Sequence, residues 1–191
     1  NEVSTSTETG KNRIWLNLND ETNSYNQILV GYTENATNGI DFAIDGEVLD
    51  KSKTMLYNII NDSEFVIQGK GLPFADTDSI PLGLKATIAG NYNISLENVD
   101  GLFTTQNIFL KDNVTNAIHD IIVAPYNFST TEGVFNNRFT LVYKNELLSN
   151  ESFTSNENIV VYTKEEKINI SASQQIAAVQ VFDVLGRTVY N

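Results

Sequence analysis

His119 and Asp120, adjacent in AIHDII, are two of the residue types that a nucleophilic triad combines: an imidazole as general base and a carboxylate to orient it. Neighbours in a strand point to opposite faces, so this pair does not make the base-to-orienter contact, and one histidine in the chain is a thin basis for nucleophilic catalysis. Paired carboxylates hydrolyse glycosides when set about 5 Å or about 6.5 to 9.5 Å apart. With 24 acids some pairs fall close by chance, and no cleft is outlined by the sequence. Oxygen-rich loops are the better candidates: Asp41, Asp45, Glu47 and Asp50 form one acidic cluster, Asp76 and Asp78 another. Calcium takes such hard oxygen donors. Neither cluster has EF-hand spacing, so solvated turns are the favoured reading and no metal or cofactor is assigned. Trp15, Tyr25, Tyr32, Phe42 and Tyr57 stack on sugar rings if they face out together and otherwise fill a core.

Positioning any of these groups requires a scaffold, and composition says which kind. Hydrophobic residues make up 41% of the 191, enough to fold, while charged residues are only 19%. Polarity is carried instead by hydroxyls and amides, with 25 asparagines, a bias toward turns and strands. The net charge of -12 opposes a sequence-independent grip on nucleic acid or anionic lipid, so neither nucleic acid nor membrane insertion is expected. No cysteine is present, which removes thiolate nucleophiles, disulfides and zinc on sulfur. No apolar run approaches membrane-spanning length, and an exported parent would carry its leader upstream of Asn1.

Period-2 alternation recurs throughout. In RIWLNL, Ile14, Leu16 and Leu18 share one face and Trp15 the other; QILVGY repeats the pattern. ENATNGIDFAIDGEVLDKSK reads as a long surface loop with a short strand inside. TMLYNII and EFVIQG flank Asn61, Asp62 and Ser63 as a hairpin. GLPFADTDSIP, with two prolines, is expected outside any central strand. PLGLKAT and YNISL are expected to pair antiparallel. QNIFLKD, AIHDIIV, a segment with Tyr126 and Phe128, and RFTLVY complete nine or ten strands. SASQQIAA is too short to trust as a helix. The expected fold class is therefore all-β: a β-sandwich or jelly roll over 13–145, after a linker at 1–12. A second linker at 146–158 leads to the N-terminal part of an immunoglobulin-like sandwich over 159–191. There, IVVY, KINI and a hairpin in VQVFDVLGRTVY supply four strands, and the hairpin reaches Asn191 with no further strand to cover its edge.

VFDVLGRTVY resembles the recurrent segment of the C-terminal sorting domain carried by cargo of the type IX secretion system of Bacteroidota. Val181, Phe182, Asp183, Leu185, Gly186, Arg187 and Val189 fall on its recurrent positions, and a tract like KINI precedes the hairpin in that family. IWLNL, VIQGKGLPF, DSIPLGLKAT and NNRFTLVY are similar to the β-rich region that often precedes the sorting domain. The resemblance implies a non-catalytic, secreted or cell-surface segment whose last residues are handled by the outer-membrane translocon and its shuttle protein, with surface polysaccharide as a further partner. It also implies a candidate O-glycan acceptor at Ser79, in the D-S-I tripeptide. Seven N-x-S/T tripeptides, Asn35 and Asn113 among them, are what so Asn-rich a chain yields by composition. A carbohydrate-binding adhesin module, with calcium-dependent loops, is the alternative.

Overall fold

The computed structural model describes residues 11–145, 160–164, 167–171, 179–183 and 187–190. It is all-β, and the chain divides into two compact units, Asn1–Leu147 and Leu148–Asn191.

In the first unit eleven strands follow one another: β1 (Asn12–Asn19), β2 (Ser24–Thr33), β3 (Gly46–Glu47), β4 (Met55–Ile60), β5 (Ser63–Gly71), β6 (Ser79–Ala86), β7 (Gly90–Val99), β8 (Phe109–Asp112), β9 (Ala117–Asp120), β10 (Tyr126–Thr130) and β11 (Gly133–Val142). A 3-10 turn at Gly101–Thr104 lies between β7 and β8. All belong to one mixed sheet of order β10-β7-β1-β2-β5-β4-β6-β11-β8-β9, with β3 added on β5. Only β2 and β5 run parallel.

Alternation places the core. Ile14, Leu16 and Leu18 of β1 are fully buried, as are Val30 of β2 and Ile80, Leu82 and Leu84 of β6. Each such side chain removed from water contributes roughly 1.5 to 3 kcal/mol. Tyr32, Phe74, Phe103 and Tyr143 close one end of this core with edge and tilted ring contacts, the Phe74 and Tyr143 centroids 4.9 Å apart. Tyr92, Phe128 and Phe139 fill the other part, Phe128 and Phe139 at 4.8 Å.

The sheet curls until its ends nearly meet. Tyr126 of β10 donates its hydroxyl to Asp112 Oδ2 of β8 at 3.0 Å, and Arg138 of β11 donates to the Ser129 carbonyl of β10 at 3.0 Å. Side chains thus carry the closure that a backbone ladder would carry in a full barrel.

Turn chemistry explains the β4–β5 hairpin. Asn61 and Asp62 sit at φ 49° and 63°, the left-handed pair that a two-residue hairpin turn demands and that short polar side chains tolerate. The 34–53 stretch is a long connection with the two-residue β3 inside it.

Two expectations are corrected. β6 and β7 do not pair: β6 lies between β4 and β11, and β7 lies between β1 and β10. Alternation tells which face of a strand is apolar, whereas the partner is set by where the curling sheet needs that face. Ser79, Ile80 and Pro81 lie within β6, an interior strand. The ladder from β4 reaches only Leu82 through Lys85, so on that side the strand is an edge at Pro81 and the missing N–H costs no bond to β4.

In the second unit β12 (Val160–Lys164) pairs antiparallel with β13 (Lys167–Ser171), and β14 (Val181–Phe182) with β15 (Thr188–Tyr190). Of SASQQIAA, residues 172–178 lie outside the described residues.

Candidate functional site

The sequence-singled hairpin is closed by its own charges. Arg187 donates its backbone N–H to Asp183 Oδ1 at 3.0 Å and its Nε to Oδ2 at 2.7 Å, while Asp183 N–H donates to the Arg187 carbonyl at 2.9 Å. One carboxylate therefore ties the end of β14 to the residue before β15 by a side-chain pair and a backbone bond together. Val181 is half-buried, Arg187 and Val189 are exposed, and Phe182 lies in β14. Leu185 and Gly186 lie outside the described residues.

The remaining candidates are dispersed. Asp41 Oδ2 accepts from the N–H of Thr37 at 2.6 Å; Asp45 Oδ2 accepts from the N–H of Asp41 at 2.6 Å and its Oδ1 from Gly69 N–H at 2.7 Å. Glu47 is exposed in β3. Asp50 holds Ser52 and pairs with Lys53, and its carboxyl lies at about 2, first because of the Ser52 hydroxyl bond. Asp76 pairs with Lys144 at 2.8 Å, and Asp78 accepts from Ala75 N–H at 3.4 Å. Among the described residues no group of three or more histidines and acids is placed to hold a metal ion. Ser79 is exposed at the start of β6. His119 Nε2 lies 2.8 Å from the Ala124 carbonyl and Asp120 Oδ1 accepts from Ile122 N–H, so each is engaged in its own turn. Of the five aromatics singled out, Tyr32 and Tyr57 are buried, Phe42 is fully exposed in the loop, and Tyr25 packs on Tyr92.

Tyr57 is covered on the outer face of the sheet by Val48 and Met55, whereas Trp15, on the same face of β1, stands beside a groove that sequence reasoning missed. Paired residues of neighbouring strands share a face. Across β1, β2 and β5 one row is Arg13, Gly31 and Gly69, and the next is Trp15, Leu29 and Ile67. Two glycines in one row leave a hollow of about 540 Å³ lined by Arg13, Leu29, Gly31, Ile44, Ile67 and Gly69, among others. The wall at Ile44 is set by the acidic loop: Asp45 pins Gly69, and a Cβ at Gly69 would lie 2.5 Å from Ile44 Cγ2. Arg13 lies over the Trp15 ring at 4.6 Å and is held by Asp100, which accepts from its backbone N–H at 2.8 Å and from Nε at 2.9 Å. Beyond Trp15 the face continues in amides: Gln27 donates to Asn17 at 2.9 Å and Asn17 to Glu97 at 2.7 Å. The in-strand glycines were the signal available in the sequence, because glycine inside a strand marks a bulge or a close approach.

This is an all-β module with a grooved outer sheet face, followed by a unit of short hairpins. Residues 1–143 match the family model described as Domain of unknown function (DUF8693), and the chain belongs to that family. Residues 148–191 match a second model, Domain of unknown function (DUF8694). No curated protein and no solved structure matches the chain.

Proposed function

We propose that this chain is a non-catalytic segment of an exported protein and that residues 159–191 are its address, directing passage through the type IX outer-membrane translocon and display at the cell surface. The observation that carries the reading is the Asp183–Arg187 clasp, because the two charged residues of the recurrent segment are the ones that tie β14 to β15. A shuttle or translocon protein would meet a clasped pair of strands with Arg187 and Val189 exposed. The edges of the two short sheets offer backbone groups that a partner strand can pair. Val161 and Ile168, both more than half exposed, add apolar contact area to β12 and β13.

The test is secretion in the native host of the protein with and without residues 159–191. Deletion is expected to leave the protein in the periplasm, and Arg187→Ala with Asp183→Ala is expected to reduce export. Undiminished secretion of the deletion variant would overturn the reading.

A further inference from the structure

We propose that the outer face of β1, β2 and β5 is a binding site for a neutral oligosaccharide, seated in the groove over Gly31 and flanked by Trp15. The inference is independent of the export reading, since every residue it uses lies in the first unit.

Three features specify the ligand class. Trp15, Leu29 and Ile67 form an apolar row, with Ile67 39% exposed, and sugar rings present C–H faces that pack on such surfaces. The groove volume of about 540 Å³ is that of a small-ligand site. Next to the apolar row stand the Gln27, Asn17 and Glu97 side chains, planar donors and acceptors of the kind that fix hydroxyls in orientation.

Charge selects against anions. Arg13 is paired with Asp100, Glu34 stands in the groove lining together with Lys11, and the chain carries a net charge of -12, so a polyanionic glycan meets net repulsion. Asp41 and Asp45 enter as positioning residues, through the Ile44 wall that they hold.

Affinity electrophoresis of the full 191-residue chain through gels containing dextran, mannan or xyloglucan, with polygalacturonate and heparin as anionic probes, tests the site. At least one neutral polymer is expected to retard the protein and the anionic ones are not. A Cβ at Gly31 makes only an ordinary contact, 3.6 Å from Arg13 Cγ, so Gly31→Val fills the groove without forcing the fold. It is expected to weaken retardation about tenfold or more with the melting temperature kept. Should that variant melt early, Ile67→Asp at the exposed groove floor decides in its place. No retardation by any neutral polymer, equal retardation by the anionic ones, or unchanged binding by the folded variant would each overturn the site.

Discussion

Asn26 of β2 treats Leu56 of β4 as a strand neighbour: its Nδ2 donates to the Leu56 carbonyl at 2.8 Å and its Oδ1 accepts from the Leu56 N–H at 2.8 Å. The reason lies in β5, which pairs with β4 over Ser63–Phe65 and with β2 over residues 67–71, so β2 and β4 face each other across its fork. Asn58 adds a second stitch by donating to the Leu29 carbonyl at 3.2 Å. Replacing Asn26 by Ala leaves both backbone groups of the fully buried Leu56 without partners. The expected loss is about 2 kcal/mol, read as a lower urea midpoint with an unchanged slope.

The closure between the sheet's ends rests on Asp112, fully buried, and Arg138, whose Nε and Nη2 reach Asp112 Oδ2 at 3.2 and 3.1 Å. Arg138 also covers the Phe128 and Phe139 rings at 4.7 and 4.9 Å. Arg138→Met strands a buried carboxylate and is expected to cost about 3 kcal/mol. The double variant Asp112→Leu with Arg138→Met recovers much of it, and chemical unfolding of the four proteins in a double-mutant cycle measures the coupling.

Tyr57 lies across Gly83, its partner residue in β6, so closely that a Cβ there would fall 2.0 Å from the ring's Cε2. The ring is buried and its hydroxyl donates to Asn136 Oδ1 at 2.5 Å. Gly83→Ala is expected to destabilise by about 2 kcal/mol through overpacking. In a Tyr57→Val background the same change costs less, because the obstructing ring is gone; thermal melts of the single and double variants compare the two.

Stability falls at both ends of the pH scale. Asp20 accepts from the Tyr25 hydroxyl and from the backbone N–H groups of Thr22 and Asn23, which hold its carboxyl well below the usual range, the Tyr25 bond foremost. Asp50 lies at about 2. Groups lowered by folding stabilise above their unfolded value of 3.8, and that stability is lost as pH falls through their folded values. Tyr25 is pushed up to about 12, first by its bond to Asp20, and Tyr57 to about 12, first by burial. Groups raised by folding stabilise fully below 10 and lose that contribution as pH rises toward 12. Melting temperature plotted against pH should show both limbs, and Tyr25→Phe should lower stability near neutral pH and make the acid limb shallower, because the Asp20 carboxyl then lies closer to its unfolded value.

Face assignment was legible in the sequence because it is a local property. Ile14, Leu16, Leu18, Leu82 and Leu84 stand two residues apart, and a pleated strand sends such residues to one side whatever it pairs with. The Asn61–Asp62 turn was legible for the same reason, since left-handed backbone at two successive residues is a demand that short polar side chains meet on the spot. The 181–190 hairpin could be read, but not the clasp of Asp183 on Arg187, which depends on how the turn folds back.

Partnership was decided only by the tertiary structure. Nothing in PLGLKAT or YNISL distinguishes a strand that meets its sequence neighbour from one that crosses to β1, because apolar alternation carries no address. The groove, likewise, exists only because Arg13, Gly31 and Gly69 come into one row from three strands, with Ile44 brought over them by a loop. Sequence by itself determined that this chain is built of strands and which way each one faces, since those follow from the sterics of a few adjacent residues. Which faces meet, and what hollow they enclose, follows from the curling of a whole sheet, a balance of contacts between residues far apart in the chain.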